Sequence, residues 1–112
     1  MNHGDVFWVA LPDRGGHEQR GRRPAIIWQD TEAFPPSSTV LIIPMTSRLD
    51  ALRFPATLRV EPTPNNDLAV TSVALIFQLG ACDLRRISRQ LGRLDDPDLQ
   101  EIEGIARPLQ RL

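Results

Sequence analysis

Short apolar segments separated by turn residues occupy most of the chain. Runs of aliphatic and aromatic residues at 5–11, 24–29 and 39–47 predict three strands, and the third is continuously apolar and therefore expected to be central. Alternating apolar and polar residues at 55–62 predict a half-buried strand, and residues 72–79 predict another long one.

The segments between these strands carry weaker patterns. Residues 12–23 combine three glycines with many charges, which predicts a long loop. Residues 48–54 predict a short helical turn or an irregular loop, and residues 85–94 predict a turn followed by a last strand.

The end of the chain has the pattern of an α-helix. Asp95 or Asp96 is expected to cap its N-terminus, with Pro97 in the first turn. Pro108 lacks an N–H group and clashes with the carbonyl four residues earlier, so a kink or a stop is expected near Arg107. Apolar residues at helical spacing form one face: Leu99, Ile102, Ile105, Ala106, Leu109 and Leu112.

Five or six short strands followed by one helix predict an α+β, mainly β fold in a single domain spanning residues 1–112. The sheet is expected to be antiparallel, because helical crossovers between the strands are missing. It is also expected to be strongly bent and partly closed like a barrel.

The composition is that of an ordinary globular domain, with 41% hydrophobic and 24% charged residues. No segment reaches the ~18 apolar residues of a membrane span, and the N-terminus does not resemble a signal peptide. Cys82 is the single cysteine, which excludes an internal disulfide, and it is expected to be a small buried residue. These features predict a cytoplasmic protein without membrane contact.

Charge is distributed unevenly, although the formal net charge is only −1. All 13 basic residues are arginine; residues 14–23 hold four of them against one glutamate, whereas residues 95–103 hold five acids and no base. The planar fork of arginine suits phosphate, so the first region indicates an anionic partner. The sequence has no pattern typical of a metal site, a phosphate-binding loop or a dinucleotide-binding loop, so no metal and no cofactor are expected.

The candidate chemistry lies in the arginine-rich loop and at the end of the third strand. Arg20, Arg22 and Arg23 have the donors to surround a phosphodiester, although a solvated surface loop has the same composition. Thr46 and Ser47 supply hydroxyls where the third strand ends, although ordinary turns use the same residues.

Five segments, in this order, resemble the MazF/PemK (Kid) family of toxins from bacterial toxin–antitoxin pairs. They are HGDVFWVAL, GHEQRGRRPAIIWQ, STVLIIPMTS, SVALIFQL and LGRLDDPDLQEIEGIA, and they span about residues 3–107. The resemblance implies a compact barrel like the SH3 and plasmid-maintenance-toxin folds, and a homodimer that a MazE-like antitoxin silences with a largely disordered tail. It also implies a metal-independent, sequence-specific endoribonuclease that cuts single-stranded RNA, leaves 2′,3′-cyclic phosphate and 5′-hydroxyl ends, and inhibits translation and growth.

The resemblance carries the family's functional residues onto matching positions of this sequence. The essential arginine before the proline is Arg23, and the threonine that ends the third strand is Thr46, followed by Ser47. The glutamate and glutamine of the loop are Glu18 and Gln19.

Elsewhere the match is partial. Gly4 and Asp5 match the GD pair that opens the first strand, and Gln78 matches a glutamine of a later strand. Phe77 stands where the family has an acid, and Gly80 stands where it often has an arginine. These two departures bear on RNA specificity and on rate.

RNA cleavage by its own 2′-hydroxyl needs in-line geometry, removal of the hydroxyl proton and stabilisation of charge on the phosphorane. Arg23 suits the last task as a bidentate donor, and Thr46 is a neutral donor to the same oxyanion. Three alternatives stay open for the proton. Glu18 accepts it, or His17 accepts it (a position where the family often has serine), or neither does and the two donors act by position and charge.

Recognition of single-stranded RNA uses stacked bases and backbone contacts. Trp28 or Phe34 is a candidate for stacking a base, and both are also candidates for the core. Arg85 and Arg86 either extend a phosphate track or cap a turn. The other candidates for substrate binding are Gln19, Arg20, Arg22, Ser47 and Gln78.

Two other functions are alternatives. A toxin of the same superfold inhibits DNA gyrase by protein binding, without catalysis, through C-terminal residues that include a tryptophan, whereas this chain ends PLQRL. The second alternative is an inactive paralogue that still binds an antitoxin or nucleic acid. Phe77 and Gly80 favour that interpretation, and the presence of Arg23 and Thr46 opposes it.

Overall fold

The computed structural model describes residues 1–10, 21–30 and 38–110. Within these ranges the chain forms seven strands, a C-terminal helix and three short 3-10 helices. The strands are β1 (Asp5–Ala10), β2 (Arg22–Ile27), β3 (Thr39–Thr46), β4 (Thr57–Val60), β5 (Ser72–Leu75), β6 (Gly80–Asp83) and β7 (Ile87–Arg93), and the helix is α1 (Asp96–Gln110). The 3-10 helices are Leu49–Arg53, Ile76–Gln78 and Leu84–Arg86.

The strands form an antiparallel sheet in the order β4-β5-β3-β2-β1-β7, with β6 pairing with β3. This arrangement confirms the α+β, mainly β fold class with a C-terminal helix. In the described part of the chain no ladder joins β4 to β7, the two ends of this order. Closure of a barrel by strand pairing is therefore not observed.

The loop between β4 and β5 connects the two ends of the sheet instead. The backbone N–H of Arg93 in β7 donates a hydrogen bond to the carbonyl of Asn65, at 2.8 Å. Gly92 permits this approach, because a side-chain carbon there would collide with the Asn65 carbonyl and the Asn66 backbone. A loop thus fixes this corner of the fold.

The sheet buries both of its faces, because side chains alternate along each strand. Ile26 of β2 belongs to a core that α1 covers with residues such as Ile102. Its neighbours Ala25 and Ile27 belong to a second cluster, together with Ile42 of β3. Helix α1 therefore lies on one side of the sheet, and Ala25 projects on the other.

The long strand expected at 72–79 is wrong in its second half, where the second 3-10 helix separates β5 from β6. The cause is a change of register on β3, since Met45 lies opposite Ala74 and Ile42 lies opposite Gly80. Three residues along β3 thus correspond to six along its partner, and the 3-10 helix takes up the difference. Of the two alternatives for residues 48–54, the structure has the short helical turn, and the predicted last strand is confirmed.

Helix α1 begins at Asp96 and continues to Gln110, so the stop expected near Arg107 is wrong. Pro108 lies in the last turn, where its missing N–H removes one bond at a helix end rather than interrupting a long ladder. Burial confirms the predicted apolar face at Leu99, Ile102 and Ala106, and Leu112 lies outside the described residues.

The buried state predicted for the single cysteine is confirmed. Cys82 is buried, and that burial raises the pKa of its thiol. No helix among the described residues is long and apolar enough to cross a membrane.

Candidate functional site

The start of β2 and the end of β3 lie side by side in the sheet. The two strands are antiparallel, and Ala25 lies opposite Pro44. Continuing this register by two residues brings Arg23 opposite Thr46. The two donor groups carried over from the family are therefore brought to the same place by neighbouring strands.

Both side chains project from the sheet face that α1 does not cover. Residues two apart in a strand share a face, so Arg23 projects on the side of Ala25, and Thr46 on the side of Pro44. Ala25 belongs to the second cluster rather than to the core under α1. Arg23 and Thr46 are both half-buried, so part of each residue is exposed to solvent.

The loop expected before β2 is wrong at its last two positions. Strand β2 begins at Arg22, which pairs with Ala10 of β1, and Arg23 follows in the same ladder. Gly21, directly before them, has a φ of 109°, a left-handed conformation that favours glycine. Strand pairing therefore holds the backbone of both arginines more firmly than a loop would.

Thr46 has one hydrogen-bonding partner that leaves its own proton available. Its Oγ1 accepts the backbone N–H of Arg48, at 3.2 Å. A hydroxyl donates one hydrogen bond and accepts others, so the Thr46 proton is still able to be donated to an anion. The next residue, Ser47, is exposed directly after the strand end.

Several sequence candidates lie outside the described residues. These are His17, Glu18, Gln19 and Arg20 of the loop between β1 and β2, and Phe34 of the segment before β3. Their roles stay predictions from the sequence.

Trp28 lies in the core, which is one of the two places that the sequence allowed for it; the other was a base-stacking position. Only 8% of its surface is exposed. Its ring centroid is 4.3 Å from that of His3, whose Nδ1 lies 2.6 Å from the Trp28 carbonyl and whose Nε2 lies 3.0 Å from Glu103. A base would find little of the Trp28 ring to stack on.

Gln78 lies between β5 and β6, as do Phe77 and Gly80, the two residues that depart from the family pattern. Phe77 and Gln78 are both exposed in the intervening 3-10 helix, and Gly80 opens β6 opposite Ile42. The nearest atom to a side-chain carbon built at Gly80 is the Gln78 carbonyl oxygen, 3.6 Å away. A larger side chain would therefore fit at Gly80, so packing is not the reason for the missing arginine.

Arg85 takes part in a turn cap in the described structure, whereas Arg86 does not. The Asp83 carboxylate accepts the backbone N–H of Arg85 and pairs with its guanidinium, both at 2.8 Å. These bonds from Arg85 lower the pKa of Asp83 to about 2. Arg86 Nη1 lies 3.5 Å from the Ala10 carbonyl, at the strand end that pairs with Arg22. Arg86 thus stays near the candidate surface, whereas Arg85 is engaged locally.

The Asp83 cap predicts an acid-dependent contribution to stability. Because the pKa is lower in the folded chain, the contribution is complete above the ordinary carboxylate pKa near 3.8 and is lost as the pH falls toward about 2. Asp83→Asn is expected to lower the Tm at pH 5 and above, with a difference from wild type that shrinks between pH 4 and pH 2. Thermal unfolding followed by circular dichroism measures both.

The control for the Asp83 experiment is Asp50→Asn. The Asp50 carboxylate is exposed and lies 3.9 Å from Arg48, which is a loose surface pair. Its removal is expected to change the Tm little at any pH. A difference for Asp83→Asn that stays constant down to pH 2 would contradict the cap.

The Gly-Asp pair that matches the family has a structural explanation here. Gly4 has a φ of 94°, and a side-chain carbon there would lie 3.0 Å from Leu99 of α1. Asp5 is buried, accepts the backbone N–H of Asn2 at 2.8 Å and pairs with Arg93 at 3.2 Å. Sequence reasoning missed Arg93 as its partner, because the two residues are joined only by the pairing of β1 with β7.

A cavity of about 470 Å³ lies on the α1 side of the sheet, away from Arg23 and Thr46. Its lining includes His3, Trp28 and Glu103. Among the residues that the structure describes, no group of histidine, cysteine or acidic side chains is arranged to hold a metal ion.

Comparison with known proteins assigns this fold to a class. A family model for the PemK-like, MazF-like toxin of type II toxin-antitoxin system matches residues 2–108. The chain belongs to this family of toxins, as the five sequence segments indicate. It is 30% identical over 104 residues to the endoribonuclease MazF of Staphylococcus saprophyticus, an alignment covering 93% of this chain and 86% of that protein.

Solved structures agree with the family assignment. The crystal structure of MazF from Deinococcus radiodurans matches with a TM-score of 0.76 at 27% identity, over 100% of this chain and 97% of that chain. A crystal structure of MazE-MazF from the same organism matches with a TM-score of 0.74 at 24% identity, over 100% and 96%. The second match bears on the fold alone.

Proposed function

We propose that this toxin is a metal-independent, sequence-specific endoribonuclease that acts on single-stranded RNA. The 2′-hydroxyl attacks the adjacent phosphorus as the bond to the 5′-oxygen breaks. The products are a 2′,3′-cyclic phosphate on one fragment and a 5′-hydroxyl on the other. Cleavage of cellular RNA in this way inhibits translation and growth.

The observation that carries the proposal is the antiparallel pairing of Ala25 with Pro44, because the same register continued by two residues puts Arg23 opposite Thr46. In the reaction, negative charge grows on the phosphoryl oxygens of a five-coordinate phosphorane. A guanidinium offers those oxygens two parallel donors, and the Thr46 hydroxyl offers a third. The Staphylococcus saprophyticus relative is named an endoribonuclease, which supports the same chemistry.

The proton of the attacking hydroxyl needs an acceptor other than Arg23, because a guanidinium does not give up its own proton in a protein. Glu18 is the ordinary choice, and His17 titrates in a range that suits proton transfer. Without either of them, Arg23 and Thr46 act on the phosphate by position and charge alone.

The proposed setting is a cytoplasmic homodimer that a cognate antitoxin inhibits. The Deinococcus radiodurans structure of MazE-MazF supports an antitoxin partner, since it has the same toxin fold. In the proposed dimer, the distal end of α1 around Leu109 lies near the second subunit. Substrate contacts come from Gln19, Arg20, Arg22, Ser47, Gln78 and Arg86 around the reacting phosphate.

Incubation of the purified protein with long RNA in EDTA, followed by mapping of both ends of every fragment, tests the proposal. The expected result is cleavage at one short sequence, with cyclic phosphate and 5′-hydroxyl ends. Intact RNA together with inhibited DNA gyrase would favour the non-enzymatic toxin. Inertness in both assays would favour an inactive paralogue, the alternative that Phe77 and Gly80 motivate.

The Thr46 hydroxyl is tested separately from the Arg23 guanidinium. Thr46→Val keeps the β-branched shape and removes the donor, so kcat is expected to fall ~100-fold with a smaller change in KM. Thr46→Ser is expected to keep most of the activity. Steady-state cleavage of a short RNA that contains the mapped site measures both parameters.

The matched control for Thr46 is Thr71→Val. The Thr71 hydroxyl donates to Glu61 at 2.6 Å, in the loop between β4 and β5. The control variant is expected to cleave RNA like the wild type. Equal rates for Thr46→Val and wild type would remove Thr46 from the catalytic set.

A further inference from the structure

Two phenyl rings are exposed together beside the start of β4. Phe54 and Phe77 each have 44% of their surface exposed. Their ring centroids are 5.9 Å apart, and the ring planes are tilted by 52°. The two rings together form an apolar aromatic surface that is open to solvent.

The backbone holds these rings in place. Phe54 follows the 3-10 helix Leu49–Arg53, and its carbonyl accepts the Thr57 hydroxyl at 2.9 Å. Ala56 has a φ of 56°, in the left-handed region that alanine rarely adopts, and its carbonyl accepts the backbone N–H of Phe77 at 3.2 Å. Unfavourable backbone geometry of this kind is often retained where it positions functional groups.

A guanidinium lies on the same surface. The Arg53 guanidinium carbon is 4.9 Å from the centroid of the Phe54 ring, a cation–π arrangement. In the described part of the chain no carboxylate lies within ion-pair distance of Arg53, whereas Arg48 faces Asp50. The charge of Arg53 is thus available to a phosphate.

The aromatic pair is connected to Thr46 through β5. Thr46 pairs with Val73 in β5, and Phe77 follows Val73 by four residues. Along an extended chain that separation is at most ~13 Å, and the 3-10 helix shortens it. A single strand of RNA that has a phosphate at Thr46 is long enough to reach Phe77 with a neighbouring base.

We propose that Phe54 and Phe77, with the Arg53 guanidinium, form a platform on which this toxin stacks a base of its single-stranded RNA substrate. The inference rests on the proposed nuclease function and adds a specificity-determining surface to it. Exposed aromatic rings stack bases, and an adjacent arginine binds the backbone phosphate. An apolar protein partner would contact the two rings but would leave the positive charge of Arg53 without a partner.

Binding of uncleavable RNA tests the platform directly. The probes are short fluorescein-labelled 2′-O-methyl homopolymers of A, C, G and U, in which the attacking hydroxyl is blocked. Phe54→Leu and Phe77→Leu keep an apolar side chain but remove the π-face, so each is expected to weaken binding of at least one probe about tenfold in fluorescence anisotropy. Phe77→Tyr is expected to bind like the wild type, because it retains the ring.

The control is Val70→Ala, which truncates a side chain with 54% exposure in the loop between β4 and β5 and is expected to leave binding unchanged. Leucine variants that bind every probe like the wild type would overturn the platform. A Phe77→Tyr variant that binds as weakly as Phe77→Leu would also overturn it. So would a lower mass of the leucine variants in light scattering, because the rings would then be a contact between two copies of the chain.

Cleavage of unmodified RNA, measured on the same proteins, separates this inference from the proposed function. Wild-type protein that cleaves RNA, with leucine variants that bind all four probes normally, overturns the platform alone. Wild-type protein that binds the probes through the rings but cleaves no RNA overturns the nuclease and leaves a base-binding surface.

Discussion

Replacement of Arg23 by alanine is expected to lower kcat for RNA cleavage by ~100-fold to ~1000-fold, because the growing phosphorane charge loses its two-pronged donor. Arg23→Lys is expected to fail almost as severely, since an ammonium is a point charge without a planar fork. Single-turnover cleavage of a short RNA that contains the mapped site measures both variants without a contribution from product release.

The matched control for Arg23 is Arg89→Ala, which removes an exposed arginine of β7 and is expected to cleave at the wild-type rate. Far-UV circular dichroism checks that each variant is folded. A lysine variant with wild-type turnover would show that charge alone is sufficient at position 23. An active alanine variant would move the catalytic donors elsewhere.

The largest effect on stability is expected at Asn66, which is fully buried. Its Oδ1 accepts the backbone N–H groups of Thr63 and Leu68, both at 3.0 Å, and its Nδ2 donates to the Glu61 carbonyl at 2.9 Å. Asn66→Ala removes all three partners, which make one buried and two part-buried hydrogen bonds. Since each such loss costs ~1–3 kcal/mol, the free energy of unfolding is expected to fall by ~3 kcal/mol or more, measured by urea denaturation.

That loss is large for a domain whose total stability is about 5–15 kcal/mol. Asn65→Ala is the control. Asn65 is the exposed neighbour whose side chain makes one bond, to Asp95 at 2.6 Å, so its loss is expected to cost less than ~1 kcal/mol. Asn66→Asp is not expected to rescue, because a carboxylate cannot donate to the Glu61 carbonyl and its charge would be buried. If Asn66→Ala and Asn65→Ala unfold at the same urea concentration, the proposed contribution of the Asn66 hydrogen bonds to stability is wrong.

The consequence of losing Asn66 would reach beyond its own loop. This loop connects the two ends of the sheet through the bond from Arg93 to Asn65, and it also holds Asp95 before α1. The hydrogen bonds from Thr63 and Asn65 lower the pKa of Asp95. Asn66 therefore supports the corner at which this loop contacts β7 and the helix begins.

Local patterns predicted most of the elements but not their limits. Alternating and continuous apolar runs depend on which face of each strand is buried, so the strands and the face of α1 could be read from residue spacing. The limits depended on partners. Arg22 joined β2 because Ala10 pairs with it, and the strand expected at 72–79 was divided by its register on β3.

The candidate site was read mainly from sequence blocks that resemble a family. The composition of the arginine-rich loop fitted an anion-binding site and a solvated loop equally well. No local pattern pointed to Phe54, which became a candidate only when Ala56 and Phe77 were found beside it. Nor did any pattern assign Asn66 to the core, because its type is usually exposed unless all of its hydrogen-bonding groups find partners.

The sequence by itself determined that this protein is a mainly β toxin of the PemK-like, MazF-like family, with an arginine and a threonine at two strand ends. Apolar periodicity and the order of the five family-like segments are properties of the chain alone. The tertiary structure decided that Arg23 and Thr46 lie on neighbouring antiparallel strands, on the face that α1 leaves uncovered. Register and face depend on hydrogen bonds between residues distant in the chain, and a one-residue slip would turn either side chain to the other side of the sheet.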